Sequence, residues 1–152
     1  MDVRVGTFED ITAEPEFNAL AAEYADECAI AGLPRPNYNR DIYQLLEAQG
    51  FMYPLGVYEQ DKLIGFAAVL VVLNPHYSQK LANTESFFIG QAHRKTGAGL
   101  ALKRKIEEVA RETGAIGLLI CAPTNSKLAA VMEKNKHYHE TNRVFFKSLA
   151  NE

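Results

Sequence analysis

Phe88-Ile89-Gly90-Gln91-Ala92-His93-Arg94-Lys95-Thr96-Gly97-Ala98-Gly99-Leu100 is the stretch on which the fold turns. Phe88 and Ile89 close an apolar strand, and a short basic loop follows. From Gly97 to Thr113 the pattern is helical, with Leu102, Ile106, Val109 and Ala110 on one face and Gly114 as its stop. A strand running through a basic loop into a helix N-terminus makes an anion site. The first N–H groups of a helix lack intrahelical acceptors, and the positive end of its dipole favours phosphate. Gly97 and Gly99 let a ligand approach the backbone, and Arg94 and Lys95 add charge. A P-loop needs Gly-x-x-x-x-Gly-Lys-Ser/Thr and a dinucleotide fold Gly-x-Gly-x-x-Gly, and neither spacing is present.

Upstream, Phe51 to Glu59 and Lys62 to Leu73 are rich in aromatic and β-branched residues and flank Gln60-Asp61, the pattern of an antiparallel hairpin. The near-continuous apolar run Ile64 to Leu73 predicts a central strand buried on both faces, with a bulge at Gly65. Asn74 to Lys80 reads as a loop and Leu81 to Ile89 as a strand. Nearer the start, Val3 to Gly6 alternates as a short strand. Thr12 and Pro15 signal a helix carrying Phe17, Leu20, Ala21, Tyr24 and Cys28, and Asn39 or Asp41 caps a second with Ile42, Leu45 and Leu46 on one face. Downstream, Ile116 to Cys121 reads as a buried strand, Thr124 to Lys134 as a capped helix and Tyr138 to Leu149 as a closing hairpin. This order predicts one α+β domain over residues 1–152, an α/β/α layered arrangement whose mixed, mainly antiparallel central sheet is flanked by about four helices.

With 152 residues, 47% of them hydrophobic, the chain can bury one sizeable core. No segment approaches the ~18 consecutive apolar residues of a membrane helix, and the N-terminus lacks a signal-peptide pattern, so a cytoplasmic protein without a membrane partner is expected. The net charge of −3 conceals an asymmetry: residues 1–90 hold 5 Lys and Arg against 13 Asp and Glu, and residues 91–152 hold 11 against 6. Such a chain, without a basic run interleaved with aromatics, is a poor candidate for nucleic acid and a better one for a small polyanion. Cys28 and Cys121 have neither the number nor the spacing of a disulfide framework, and no His/Cys/carboxylate cluster has metal-ligand spacing, so no metal is expected.

Arg94-x-x-Gly97-x-Gly99, after a strand and before a helix, resembles the pyrophosphate motif of the GNAT (GCN5-related) N-acetyltransferases, and the element order resembles that family's fold along nearly the whole chain. The resemblance implies acetyl-CoA as acyl donor. Its pyrophosphate would lie on Arg94, Lys95, Thr96, Gly97, Ala98, Gly99 and Leu100, and its pantetheine arm would bond the backbone of Phe88, Ile89 and Gly90. Asn125 and Lys127, at the start of the late helix, would meet the pantetheine or the adenosine end. The tail Tyr138 to Phe146 also resembles the ending of small GNAT-like proteins of phages. Relatives are often dimers, so a homodimer through the closing hairpin is a further expectation.

Acetyl transfer to an amine needs the amine neutral, the thioester carbonyl polarised, and a proton for the departing thiolate. Glu85, four residues before Ile89 and expected on the same side of the strand, stands where the family often holds its general base. The family's usual acid is a tyrosine before a Glu-Lys pair, but Met132 occupies that place here. Tyr138 is the candidate to replace it, ahead of His137 and His139. His76 and Tyr77 sit in the loop before the Leu81 strand, on the expected acceptor side, and His93 is expected to pack beside the phosphate loop. No cysteine neighbours Glu85 in sequence to suggest a covalent acyl-enzyme, so direct transfer in a ternary complex to a small-molecule or peptide amine is expected. The competing reading is a catalytically impaired CoA-binding or interaction module, with an unrelated phosphate binder behind it.

Overall fold

Gln60 and Asp61 adopt φ of 49° and 60°, the paired left-handed conformations of a two-residue type I′ hairpin turn. They join β2 (Met52–Glu59) to β3 (Lys62–Asn74), and the turn fixes the antiparallel register from Glu59↔Lys62 to Met52↔Leu70. β1 (Asp2–Val5) pairs antiparallel with the outer edge of β2, and β4 (Gln79–Ile89) runs antiparallel along β3. β5 (Leu118–Leu119) completes a five-stranded sheet in the order β1-β2-β3-β4-β5 and is its one parallel neighbour. The computed structural model describes residues 1–150, which fall into two compact units: Met1–Tyr24 with Tyr38–Cys121, and Ala25–Asn37 with the chain from Ala122.

The first unit is layered. On one face of its sheet, α4 (Ala98–Glu112) buries Leu102, Ile106, Val109 and Ala110 against Leu55, Val57, Val69, Val71, Ala82 and Ile89. On the other, α1 (Phe8–Thr12) supplies Ile11, and α2 (Phe17–Cys28) supplies Phe17 and Leu20, to a cluster with Tyr58, Leu63, Phe66 and Phe88. α3 (Arg40–Ala48) joins that second layer through Tyr43, which stacks on Phe8 at 4.6 Å and 9°. Glu47 of α3 accepts the Phe8 N–H with both carboxylate oxygens, at 2.6 and 3.1 Å, so α3 caps α1 while α1 supports α3.

Two bulges distort the ladder. Between Val57↔Gly65 and Tyr58↔Leu63 the β3 strand has one extra residue, as expected near Gly65. Between Ala68↔Ser86 and Val69↔Thr84 the β4 strand has another, Glu85.

Several expected elements take a different form. The first helical region is two helices. Thr7 caps α1 by accepting from Asp10 N at 3.1 Å, and Thr12 ends that helix rather than starting the next. The Asn74–Lys80 loop shrinks to a tight turn around Pro75–Ser78, with His76 N–H bonded to Asn74 Oδ1 and Tyr77 exposed. The strand expected over Ile116 to Cys121 is reduced to Leu118–Leu119, and Ile116 is exposed.

In the second unit, the late helix is α5 (Lys127–Glu133), capped by Ser126 and not Thr124. The closing hairpin over Tyr138 to Leu149 does not form: no strand follows β5 among the described residues, and Phe145 is 89% exposed. The tight two-residue hairpin turns need left-handed residues, and none between Tyr138 and Leu149 has positive φ.

Leu102 is fully buried at the centre of the α4 layer. Leu102→Ala should cost about 2–5 kcal/mol in urea unfolding. Ile42→Ala, at a residue of α3 that is 55% exposed, should change stability by about 0.5 kcal/mol or less.

Candidate acyl-donor and base site

β4 and β5 pair only at Ala82↔Leu118 and Asn83↔Leu119, after which the two strands part. The point of parting is tied by Thr84, buried at 3% exposure, whose Oγ1 accepts from Cys121 N at 2.9 Å. Beyond it, Ser86 to Ile89 pair with β3 on one edge and with no strand on the other among the described residues.

Which backbone groups face that open edge follows from the register. Gly90 N–H donates to Ile64 O at 2.9 Å, toward β3, and its carbonyl accepts from His93 N. Antiparallel strands alternate their hydrogen-bonding direction residue by residue, so Phe88, paired with Phe66, also turns its N–H and C=O to β3. Phe87 and Ile89 therefore direct theirs outward. The Ile89 carbonyl meets Arg94 Nε at 3.0 Å, and the guanidinium lies 5.4 Å from the Phe88 ring centroid. Of Phe88, Ile89 and Gly90, Ile89 presents backbone groups to the open edge. Phe87, which the sequence did not single out, does the same.

The loop from Gln91 to Thr96 is held at three places. Glu23 Oε2 accepts from Gln91 N at 3.0 Å, His93 Nδ1 lies 3.4 Å from Glu59 Oε2, and Thr96 Oγ1 donates to His93 O at 2.7 Å. Lys95 and Gly97 take φ of 71° and 91°, and the chain then enters α4 with Gly97 as an N-cap that has no side chain to satisfy the first turn. The Ala98, Gly99 and Leu100 N–H groups at that end have no intrahelical acceptor. A Cβ built at Gly97 or Gly99 would meet no atom within 4 Å, so the helix start is open at both positions. Arg94 to Leu100 thus run from the end of β4 at Ile89 into the first turn of α4.

Glu85 is the extra residue of the β4 bulge, and its side chain is exposed. The bulge overturns the expectation that Glu85 and Ile89 share a side. Ile89 packs in the α4 layer, whereas Glu85 Oε1 accepts from Tyr43 Oη of α3, in the opposite layer, at 2.5 Å. An inserted residue reverses the period-2 alternation beyond it, so a four-residue spacing no longer means one face. Asn83 and Thr84, just before Glu85, hold Cys121: besides the Thr84 bond, Cys121 Sγ contacts Asn83 Oδ1 at 3.1 Å. Burial pushes the Cys121 thiol up from its ordinary pKa, away from the thiolate that a nucleophile needs.

Asn125, Lys127 and Tyr138 belong to the second unit. Asn125 has φ 61° in the turn before α5, Lys127 is the first residue of α5, and Tyr138 is half-buried, its N–H bonded to Asn135 O at 3.2 Å. Among the described residues, no three His, Cys, Asp or Glu side chains gather in a metal-binding group, and no helix is long and apolar enough to cross a membrane.

The structure thus joins a strand edge opened at a splay, a glycine-containing helix start and a carboxylate on a bulge of the same strand. The profile of the acetyltransferase (GNAT) family matches residues 16–138, and the chain belongs to that family as an N-acetyltransferase. Solved structures share its fold at low identity. The ribosomal-protein-alanine N-acetyltransferase of Brucella melitensis biovar Abortus 2308 is 18% identical, with a TM-score of 0.73 over 96% of this chain and 97% of that one. The aminoglycoside acetyltransferase meta-AAC0020 from an uncultured soil metagenomic sample, in complex with sisomicin, is 16% identical, with a TM-score of 0.72 over 97% and 95%. A transcriptional regulator from Bacillus halodurans C-125 is 17% identical, with a TM-score of 0.67 over 95% and 99%. No curated protein matches the sequence.

Gly65 lies opposite Ile89, at the end of β4. A Cβ there would sit 2.6 Å from Phe88 O and 2.7 Å from Ile89 Cδ1. Gly65→Ala should therefore push the end of β4 outward, costing about 1–3 kcal/mol in denaturant unfolding. Amide shifts in a two-dimensional NMR spectrum should concentrate in Phe87 to His93.

Proposed function

We propose that the chain is a single-domain cytoplasmic enzyme that transfers an acetyl group from acetyl-CoA to an amine by direct attack in a ternary complex. The observation that carries the reading is the continuity of the Phe87–Ile89 open edge with the Gly97–Leu100 helix start. This arrangement matches a ligand with amides at one end and a pyrophosphate further along. When bound, acetyl-CoA supplies an activated thioester. The N–H groups at the start of α4, with Arg94, Lys95 and Thr96 alongside, would neutralise the pyrophosphate. Ile89 and Phe87 would pair with the pantetheine amides, while Phe88 and Gly90 keep that edge straight through their bonds to β3. Asn125 and Lys127 are proposed contacts to the pantetheine or adenosine end.

Glu85 is the proposed base. Its carboxylate would take the proton that an ammonium acceptor must lose before its nitrogen can attack, directly or through one water. Tyr138 is the proposed donor to the departing sulfur, in the role that Met132 cannot fill. Direct transfer is favoured over a Cys121 acyl-enzyme because the Cys121 thiol is turned to Asn83 Oδ1, 3.1 Å away. The acidic balance of residues 1–90 suits a basic amine, such as an aminoglycoside, polyamine, amino acid or peptide amine, without choosing among them. The cytoplasm follows from the intracellular supply of acyl-CoA, and a homodimer is compatible with the reading. Met132 supports one alternative, a GNAT protein that binds CoA without turnover.

Calorimetric titration with acetyl-CoA should give one site per chain, and Arg94→Ala should weaken it roughly tenfold, the worth of a hydrogen bond to a charged group. Amine-dependent thiol release from the same preparation marks the enzyme, binding without release marks the alternative, and absence of binding contradicts both.

A further inference from the structure

Tyr43 was not among the residues singled out by the sequence, yet its hydroxyl makes the one hydrogen bond described for the Glu85 carboxylate, at 2.5 Å. Glu85 forms no ion pair among the described residues, so no cation competes with Tyr43 for it. Both partners are fixed from behind. The carboxylate stands on a bulge, a backbone feature that re-aims a side chain and is held by the ladder on either side, at Ser86↔Ala68 and Thr84↔Val69. The phenol ring lies flat on Phe8, 4.6 Å away and 9° from parallel, and Phe8 is itself buried. Tyr38 meets Phe8 edge-on at 5.6 Å and Phe17 at 5.3 Å, which ties the stack into the layer beneath. The Phe8 backbone is clamped in turn by Glu47, one helical turn beyond Tyr43 on α3. The hydroxyl therefore reaches Glu85 from a ring with little freedom to move.

We infer that Tyr43 is a positioning residue for the acetyl transfer, holding Glu85 Oε1 so that Oε2 faces the acceptor amine. The inference rests on the proposed role of Glu85 as base. A carboxylate on an exposed side chain samples several rotamers, and a base works only within hydrogen-bond reach of the proton that it removes. One fixed oxygen limits that sampling and leaves the other oxygen, with its lone pairs, to accept from an ammonium or a water. Because Tyr43 donates to one oxygen only, it orients the base without occupying it.

The test is a double-mutant cycle on thiol release from acetyl-CoA, comparing wild type with Tyr43→Phe, Glu85→Gln and the double variant. The acceptor is whichever of spermidine, kanamycin, lysine and an alanine-initiated peptide gives the highest kcat/KM, with water as acceptor where none of them turns over. Tyr43→Phe removes the hydroxyl but keeps the ring on Phe8, so Tm should be unchanged. Tyr43→Leu, which removes the stack, should lower it. The expected result for Tyr43→Phe is a fall in kcat of about 10- to 100-fold, the scale of a displaced reacting group, with KM for acetyl-CoA unaltered. The double variant should be no slower than Glu85→Gln alone, because a hydroxyl that acts through Glu85 has nothing to position once the carboxylate is gone. Unchanged kcat in Tyr43→Phe beside a large loss in Glu85→Gln would overturn the positioning role and leave the base intact. Independent, multiplying losses in the double variant would also overturn it. Full activity in Glu85→Gln would instead overturn the base assignment itself.

Discussion

The one-residue bulge at Glu85 is the constraint from which the site follows. A regular β4 would alternate strictly, and the residue in that position would belong to the ladder. The inserted residue leaves Thr84 to tie β5 at the splay and Ser86 to resume pairing with Ala68, while Glu85 is turned toward α3. It also sets the phase of the strand end. With the alternation reset, Ile89 packs into the α4 layer, and the backbone groups of Phe87 and Ile89 come to the edge that β5 has left. A single irregularity therefore sets which backbone groups face the edge and separates the carboxylate from the α4 layer.

The loop before α4 is held by contacts from other elements. Glu23 of α2 holds its first amide, Glu59 at the end of β2 faces His93, and Arg94 folds back onto the Ile89 carbonyl. Gly97 then enters α4 at φ 91°, a conformation that costs a side-chain-bearing residue about 1–2 kcal/mol.

The hairpin at Gln60-Asp61, the central strand, α4 and the glycine-containing loop that leads into it were legible because each is written locally, in turn chemistry, an apolar run, a helical period and glycine spacing. The site lost accuracy where long-range pairing decides. Glu85 was identified as a candidate, but its face was misread, because a bulge shows in register and not in composition. Tyr43 was missed because its partner lies 42 residues away and nothing in Arg40–Ala48 separates a packing tyrosine from a donor. Phe87 was missed for the same cause as Glu85. α1 had a readable signal in Thr7 with Asp10 three residues on, overlooked beside the stronger breakers at Thr12 and Pro15. The tail over Tyr138 to Leu149 forms no hairpin among the described residues, although its sequence suggests one.

The central claim is that an open strand edge and a helix start act as one continuous donor site, and a crystal structure of the protein with bound acetyl-CoA tests it most directly. The account predicts pyrophosphate oxygens within hydrogen-bond distance of the N–H groups from Gly97 to Leu100, and pantetheine amides paired with Phe87 and Ile89. A nucleotide bound elsewhere, or a pantetheine arm that leaves the Phe87–Ile89 edge vacant, would contradict it.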